Sequence, residues 1–168
     1  MVSLRDLVAD DLDLVLMWRN SPIVNEYLSN RLKTKSEITA WFERLRENPK
    51  TWLKLILAND VSVGYAAIES IDEKNRKCEL AVVVGVPGLW GTGVGRAVLN
   101  EMLQHAFKVL KMHRVFVAVC RGNLRSEKLV GGMNFRHEGT MRESLVINGE
   151  FVDLLCYSLL ESEYKEDK

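Results

Sequence analysis

Glycines at 91, 93 and 95 stand at alternate positions in "VPGLWGTGVGRAVLNEMLQHAF", between a Val-rich run and a long amphipathic stretch. A turn nearly free of Cβ atoms lets the main chain lie close to something else. The run before it, 76–86, reads as a strand that ends at Pro87. Residues 93–110 read as a helix with an apolar stripe of Val94, Val98, Leu99, Met102, Ala106 and Leu110. A strand, a glycine turn and a helix in that order demand a mixed α/β fold around them.

The flanking segments agree. Residues 2–7 alternate as a strand, and Leu12, Val15, Leu16 and Arg19 recur at helical spacing behind Asp10, a candidate cap, until Ser21-Pro22. Thr34 with Glu37 three residues on is a capping box for a second helix over 34–47, closed by Pro49. Two strands follow, 52–58 and 61–72, joined around Asn59-Asp60. Beyond the long helix come a strand at 113–120 and a short helix at 123–132, with Asn123 or Ser126 near its start. A final hairpin, 138–160, turns at Asn148-Gly149. The order is one strand, two helices, three strands, helix, strand, helix, two strands, within a single domain over 1–168.

Bulk properties narrow the function classes. Twenty-three basic and 23 acidic side chains leave a formal charge of zero, which argues against nucleic-acid or anionic-membrane binding. No signal peptide opens the chain, and no apolar run is long enough to span a bilayer. Cys78, Cys120 and Cys156 form no CxxC pair and fit free thiols in a cytoplasmic protein, with no metal site. His105, His113 and His137 share no ligand spacing and read as structural. Trp18, Trp41 and Trp52 read as core more readily than as a ligand platform.

The glycine turn is not a P-loop, because Arg96 follows the last glycine and no GK[ST] exists. It is a poor dinucleotide fingerprint. Counted from Gly91 the third glycine comes one residue early, and counted from Gly93 it is Val98. Two readings remain open on spacing. Amides of the turn and the positive end of the helix hold a pyrophosphate, helped by Arg96, or the turn binds nothing.

Trp90-Gly91-Thr92-Gly93-Val94-Gly95 resembles the Arg/Gln-x-x-Gly-x-Gly/Ala pattern of the GNAT superfamily of acyl-CoA-dependent N-acetyltransferases, with Trp90 in place of Arg/Gln, as in the RimJ/RimL-like branch. "RGNLRSEKLVGGMNF" is similar to the family's N-x-x-S-x-x-L segment, with Asn134-Phe135 where the family has Gly-Phe. Residues 4–24 and the terminal hairpin are similar to the branch as well. The resemblance covers roughly 2–160.

It implies a sheet splayed between two central parallel strands, 78–84 and 113–120, with acetyl-CoA in the gap. Main-chain groups of Val82, Val83 and Val84 would pair with the pantetheine arm. Trp90 and the amides of Gly91, Gly93, Val94, Gly95 and Arg96 would surround the pyrophosphate, and Asn123 would touch the pantetheine or adenosine end. Glu79 and Glu143 match positions of general bases, each equally readable as a surface carboxylate. Val130 stands where many members carry an acid tyrosine. Ser126 matches a serine that hydrogen-bonds the departing thiolate, and it also reads as a helix cap. Trp18, Arg19, Asn20 and Tyr27 would face the acceptor.

The implied reaction is direct acetyl transfer to a primary amine in a ternary complex. The segment 18–28 is most similar to the nucleotide-linked amino-sugar group. Ribosomal-protein N-termini and polyamines are the alternative acceptors. A non-catalytic acyl-CoA-binding module and a protein scaffold are the readings from other classes. Dimers are common in the branch. The tail, 161–168, reads as a frayed solvated end.

Overall fold

The computed structural model describes residues 1–28, 34–48 and 50–165. Pro49, expected to close the second helix, lies outside them. Seven strands form one sheet: β1 (Val2–Asp6), β2 (Trp52–Ala58), β3 (Val61–Asp72), β4 (Lys77–Val84), β5 (Arg114–Cys120), β6 (Arg136–Ile147) and β7 (Glu150–Leu160). Their order is β1-β2-β3-β4-β5-β7-β6. Every neighbouring pair is antiparallel except β4 and β5. The four helices are α1 (Leu12–Asn20), α2 (Lys35–Arg46), α3 (Val94–Gln104) and α4 (Leu124–Gly131).

Two apolar clusters cover the two faces. Val15 and Trp18 of α1 and Ile38, Trp41 and Phe42 of α2 pack on Leu53, Leu55, Tyr65 and Ala67. On the opposite face Val98, Leu99 and Met102 of α3 and Val130 of α4 pack on Ile56, Ala66, Ile68, Leu80 and Val115. The period-2 alternation of β3 supplies both: Tyr65 and Ala67 go one way, Ala66 and Ile68 the other.

The central pair is where the sheet opens. β4 and β5 pair only over Lys77–Glu79 against Arg114–Phe116. Outward from that pair, β4 stays hydrogen-bonded to β3 as far as Val84, and β5 to β7 as far as Cys120. Each half-sheet is therefore intact, and a V-shaped gap widens from a vertex at Glu79 and Phe116.

The sequence reading changes at three places. The residue before α1 is Asp11, not Asp10, and its carboxylate does not cap the helix. It accepts from both Arg5 guanidinium nitrogens at 2.7 Å and from the Val8 amide at 3.0 Å, and the Arg5 bonds hold its carboxyl below the usual range. The helix expected to run to 110 becomes a π turn over His105–Val109 after Gln104. The tail does not fray through 165. Tyr164 lies against Phe107 with ring centroids 5.0 Å apart, and the Leu160 amide donates to the Glu163 carboxylate. The apolar ring of Tyr164 outweighs the charges around it. Asn134 stands at φ +62, so asparagine keeps the turn a glycine would make.

Candidate active site

The gap between β4 and β5 is a cleft of about 440 Å³. Val82, Val83 and Val84 form one wall, and α4 with Asn123 forms the other. Ile23, Val24, Tyr27 and Leu28, from the segment after α1, cover it. Leu89 and the turn Trp90, Gly91, Gly93, Gly95 and Arg96 close its wide end.

The turn is shaped by its glycines. Gly91 and Gly93 stand at φ +79 and +97, a region that residues with a Cβ rarely adopt. A Cβ at either would meet nothing within 4 Å, so the space beside the turn is open. Gly93 is the N-cap of α3 and has no side chain to cap it. The first intrahelical bond runs from Ala97 N to Gly93 O, which leaves the amides of Val94, Gly95 and Arg96 without intrahelical partners. Arg96, Arg125 and Lys128 line the cleft, and among the described residues no carboxylate does. Free amides, a helix dipole and three cations suit a polyphosphate. The apolar valine wall suits the arm of such a ligand, so the residues present fit CoA.

Side-chain contacts refine individual roles. Val94 buries its side chain in the α3 core, so only its amide faces the turn. Arg96 donates to Gly132 O at 2.8 Å, and thereby ties α3 to the end of α4. The Trp90 indole donates to Val84 O at 2.8 Å, and the Arg125 guanidinium lies 4.1 Å from the centroid of its ring. Asn123 is the α4 cap, accepting from Ser126 N at 3.2 Å. With Asn123 capping the helix, Ser126 is spared that role, and it lines the cleft. Sequence reasoning missed Arg125 and Lys128, although two cations in the first two turns of a helix beside a glycine turn are a readable signal.

Glu79 sits at the vertex, three residues from Val82, or about 10 Å along the strand. Its carboxylate accepts from the Ser70 hydroxyl at 3.2 Å. Glu143 is not brought to the cleft. It is exposed at φ +51 in a bulge of β6, where its amide donates to Asp153.

Of the four expected acceptor residues only Tyr27 lines the cleft. Trp18 is 3% exposed, its ring pressed against Gly85, and cannot present a surface to an acceptor. Arg19 is 7% exposed, bonded to the Tyr65 hydroxyl, with its guanidinium 5.8 Å from the Trp41 ring centroid. Asn20 is exposed at the end of α1. Apolar period, not chemistry, decides the fate of Trp18: it occupies a core position of α1.

Burial pushes the Cys78 thiol up to about 12 and raises that of Cys120, whose sulfur lies 3.3 Å from the Tyr27 carbonyl oxygen. Neither is poised as a thiolate. The histidines are apart: His105 lies beside Trp52, His137 beside Tyr157, and His113 4.0 Å from Glu161. Among the described residues no cluster of three or more His, Cys, Asp or Glu is placed to hold a metal ion, and no helix is long and apolar enough to cross a membrane.

A sheet split at its parallel pair, with an anion-ready helix start at the open end and a carboxylate at the vertex, suits an extended, phosphate-tailed ligand. The acetyltransferase (GNAT) domain model matches residues 2–136, and the chain belongs to this acetyltransferase family. YdaF of Bacillus subtilis (strain 168) is 31% identical over 111 residues, 62% of this chain and 57% of YdaF, so the match spans little more than half of that relative. The acetyltransferase PseH of Campylobacter jejuni subsp. jejuni serotype O:23/36 (strain 81-176) is 23% identical over 124 residues, 74% of this chain and 76% of PseH. The crystal structure of spermidine N-acetyltransferase from Vibrio cholerae, in complex with CoA and spermine, superposes with a TM-score of 0.88 at 21% identity, covering 96% of each chain. That likeness shows the fold.

Proposed function

We propose that the chain transfers the acetyl group of acetyl-CoA to the nitrogen of a small-molecule primary amine by direct attack in a ternary complex. The observation that carries this reading is the polarity of the cleft. It is cationic with free amides at its wide end and apolar along Val84 to Val82, and Glu79 stands three residues farther along the same strand, where the β4–β5 pairing ends. A CoA diphosphate held at the glycine turn would lay its arm along β4 and direct the thioester toward Glu79.

The amine arrives protonated and must lose a proton before its lone pair can attack. Glu79 is the acceptor of that proton. The open edge of β4 offers main-chain N–H donors to the carbonyl oxygen as negative charge builds there. The nitrogen bonds to the carbonyl carbon, the carbon–sulfur bond breaks, and the remaining ammonium proton passes to the thiolate. Ser126 donates a hydrogen bond to the sulfur as it leaves. The protonated state of the two buried thiols supports direct transfer over an acetyl-cysteine intermediate.

The acceptor is a nucleotide-linked amino sugar, a reading that rests on the likeness of the segment 18–28. A polyamine is the second reading, favoured by the second carboxylate opposite Glu79.

Thiol release with a UDP-linked 4-amino sugar, spermidine and a free-N-terminal peptide separates the acceptors. Glu79→Gln is expected to slow turnover at least about a hundredfold, as loss of a general base does, with acetyl-CoA affinity unchanged. Ser126→Ala is expected to slow it about tenfold or less, because a hydrogen bond to sulfur is the smaller contribution. A chain that binds acetyl-CoA and is indifferent to both changes is a binding module, not a transferase.

A further inference from the structure

We propose that Glu69 is an acceptor-binding residue: it faces Glu79 across β3 and β4 at the vertex of the split sheet and holds the ammonium form of the incoming amine. This rests on the reading of Glu79 as proton acceptor.

The register makes the pair. Glu69 is directly opposite Glu79, two positions along from the Ala67–Ala81 pair and four from Tyr65–Val83. Directly opposed residues share a face, so both carboxylates lie on the face that α1 and α2 cover, with Cβ atoms about 5 Å apart. Like charges so placed repel. The arrangement is held nonetheless: β3 bulges just beyond, and Ser70, at φ +50 in that bulge, turns its hydroxyl onto Glu79.

Among the described residues the Glu69 side chain has no hydrogen bond and no ion pair. Its surroundings do not supply one. Arg19 of α1 attracts it, but bonds to the Tyr65 hydroxyl and stacks by Trp41. Arg44 of α2 attracts it from beyond ion-pair distance. Burial first, then the charge of Glu79, makes its carboxyl easier to protonate than usual. A half-buried, unbonded carboxylate facing a second one is costly in an empty site and favourable around a cation.

An alkylammonium ion at the vertex meets that demand. Glu69 contacts it through charge, and Glu79 takes one of its protons. The freed nitrogen then forms the bond to the acetyl carbon as the bond to sulfur breaks. Glu69 exchanges no proton and forms no covalent bond in this sequence; it fixes where the nitrogen waits.

The test compares Glu69→Gln, Glu69→Asp and Glu79→Gln with the parent chain, using whichever of a UDP-linked 4-amino sugar, spermidine and a free-N-terminal peptide turns over fastest. Glu69→Gln is expected to raise KM for the amine about tenfold or more, with kcat within about threefold, because an interaction with a charged group is lost before the chemical step. Glu69→Asp is expected to recover part of that loss. Calorimetric affinity for acetyl-CoA stays unchanged, and the thermal midpoint is equal or higher, since a like-charge pair has been relieved. An unchanged amine KM overturns the proposal. So does a loss confined to kcat, or one accompanied by a lower thermal midpoint and weaker acetyl-CoA binding. If instead Glu79→Gln leaves turnover intact, the proton-acceptor reading fails whatever Glu69→Gln does.

Discussion

Gly93→Asp is expected to abolish acetyl-CoA binding at working concentrations while the chain stays folded. The cause is electrostatic. Gly93 caps α3 with no side chain, beside the unpartnered amides of Val94, Gly95 and Arg96. A carboxylate there competes for those amides and stands against a diphosphate. Two like charges about 4 Å apart at an effective dielectric of about 20 repel by about 4 kcal/mol. Screening leaves an expected loss of about a hundredfold in affinity. Gly93→Ala separates charge from conformation. It meets the same φ of +97, at a strain cost of about 1–2 kcal/mol, but brings no charge. Calorimetry should therefore find a modest loss for the alanine variant and a large one for the aspartate. Equal losses would make backbone conformation the cause, and aspartate binding as well as glycine would remove the diphosphate from this turn.

The second large effect lies just beyond β4, past the wide end of the gap. Gly85 follows β4, and its amide donates to Val63 O at 2.7 Å. A Cβ at Gly85 would stand 2.2 Å from Cγ of Trp18, a contact no side chain tolerates, and Trp18 is enclosed on all sides. Gly85→Ala is expected to destabilise the chain by about 3 kcal/mol, the upper range for overpacking. Trp18→Ala removes a buried indole and should cost about 3–5 kcal/mol. The double variant should be less unstable than the sum of the two, because truncating the indole makes room for the new methyl. Urea denaturation of the four chains measures the coupling. Strict additivity would mean that Trp18 and Gly85 do not meet, and would return Trp18 to the list of surfaces available to an acceptor.

The comparison of these residues shows what sequence can carry. All seven strands and four helices are legible, because period 2 and period 3.6 are local properties of the chain. The terminal hairpin turns at Asn148 and Gly149 with both φ positive, as that dipeptide requires. The glycine turn is legible too, since a helix start without a capping side chain is written in the residue types themselves.

What escapes the sequence is whatever depends on register or on a distant partner. Glu69 and Glu79 are ten positions apart, and only the pairing of β3 with β4 reveals that they face each other. Glu143 looks like an acidic candidate until a bulge in β6 turns it outward. Arg19 is expected by resemblance to face the acceptor, yet α1 carries it inward to Tyr65 and Trp41. Tyr164 lies in a charged tail, but one aromatic ring finds Phe107 and holds the segment down.

The central claim is that the amine attacks the thioester directly while both substrates are bound. Initial velocities measured over a grid of acetyl-CoA and amine concentrations test it in one experiment. Double-reciprocal lines that intersect, with no acetyl group left on the protein when amine is withheld, are the predicted result. Parallel lines together with an acetylated protein would contradict it, and would move the chemistry from the carboxylate at the vertex to a nucleophilic side chain.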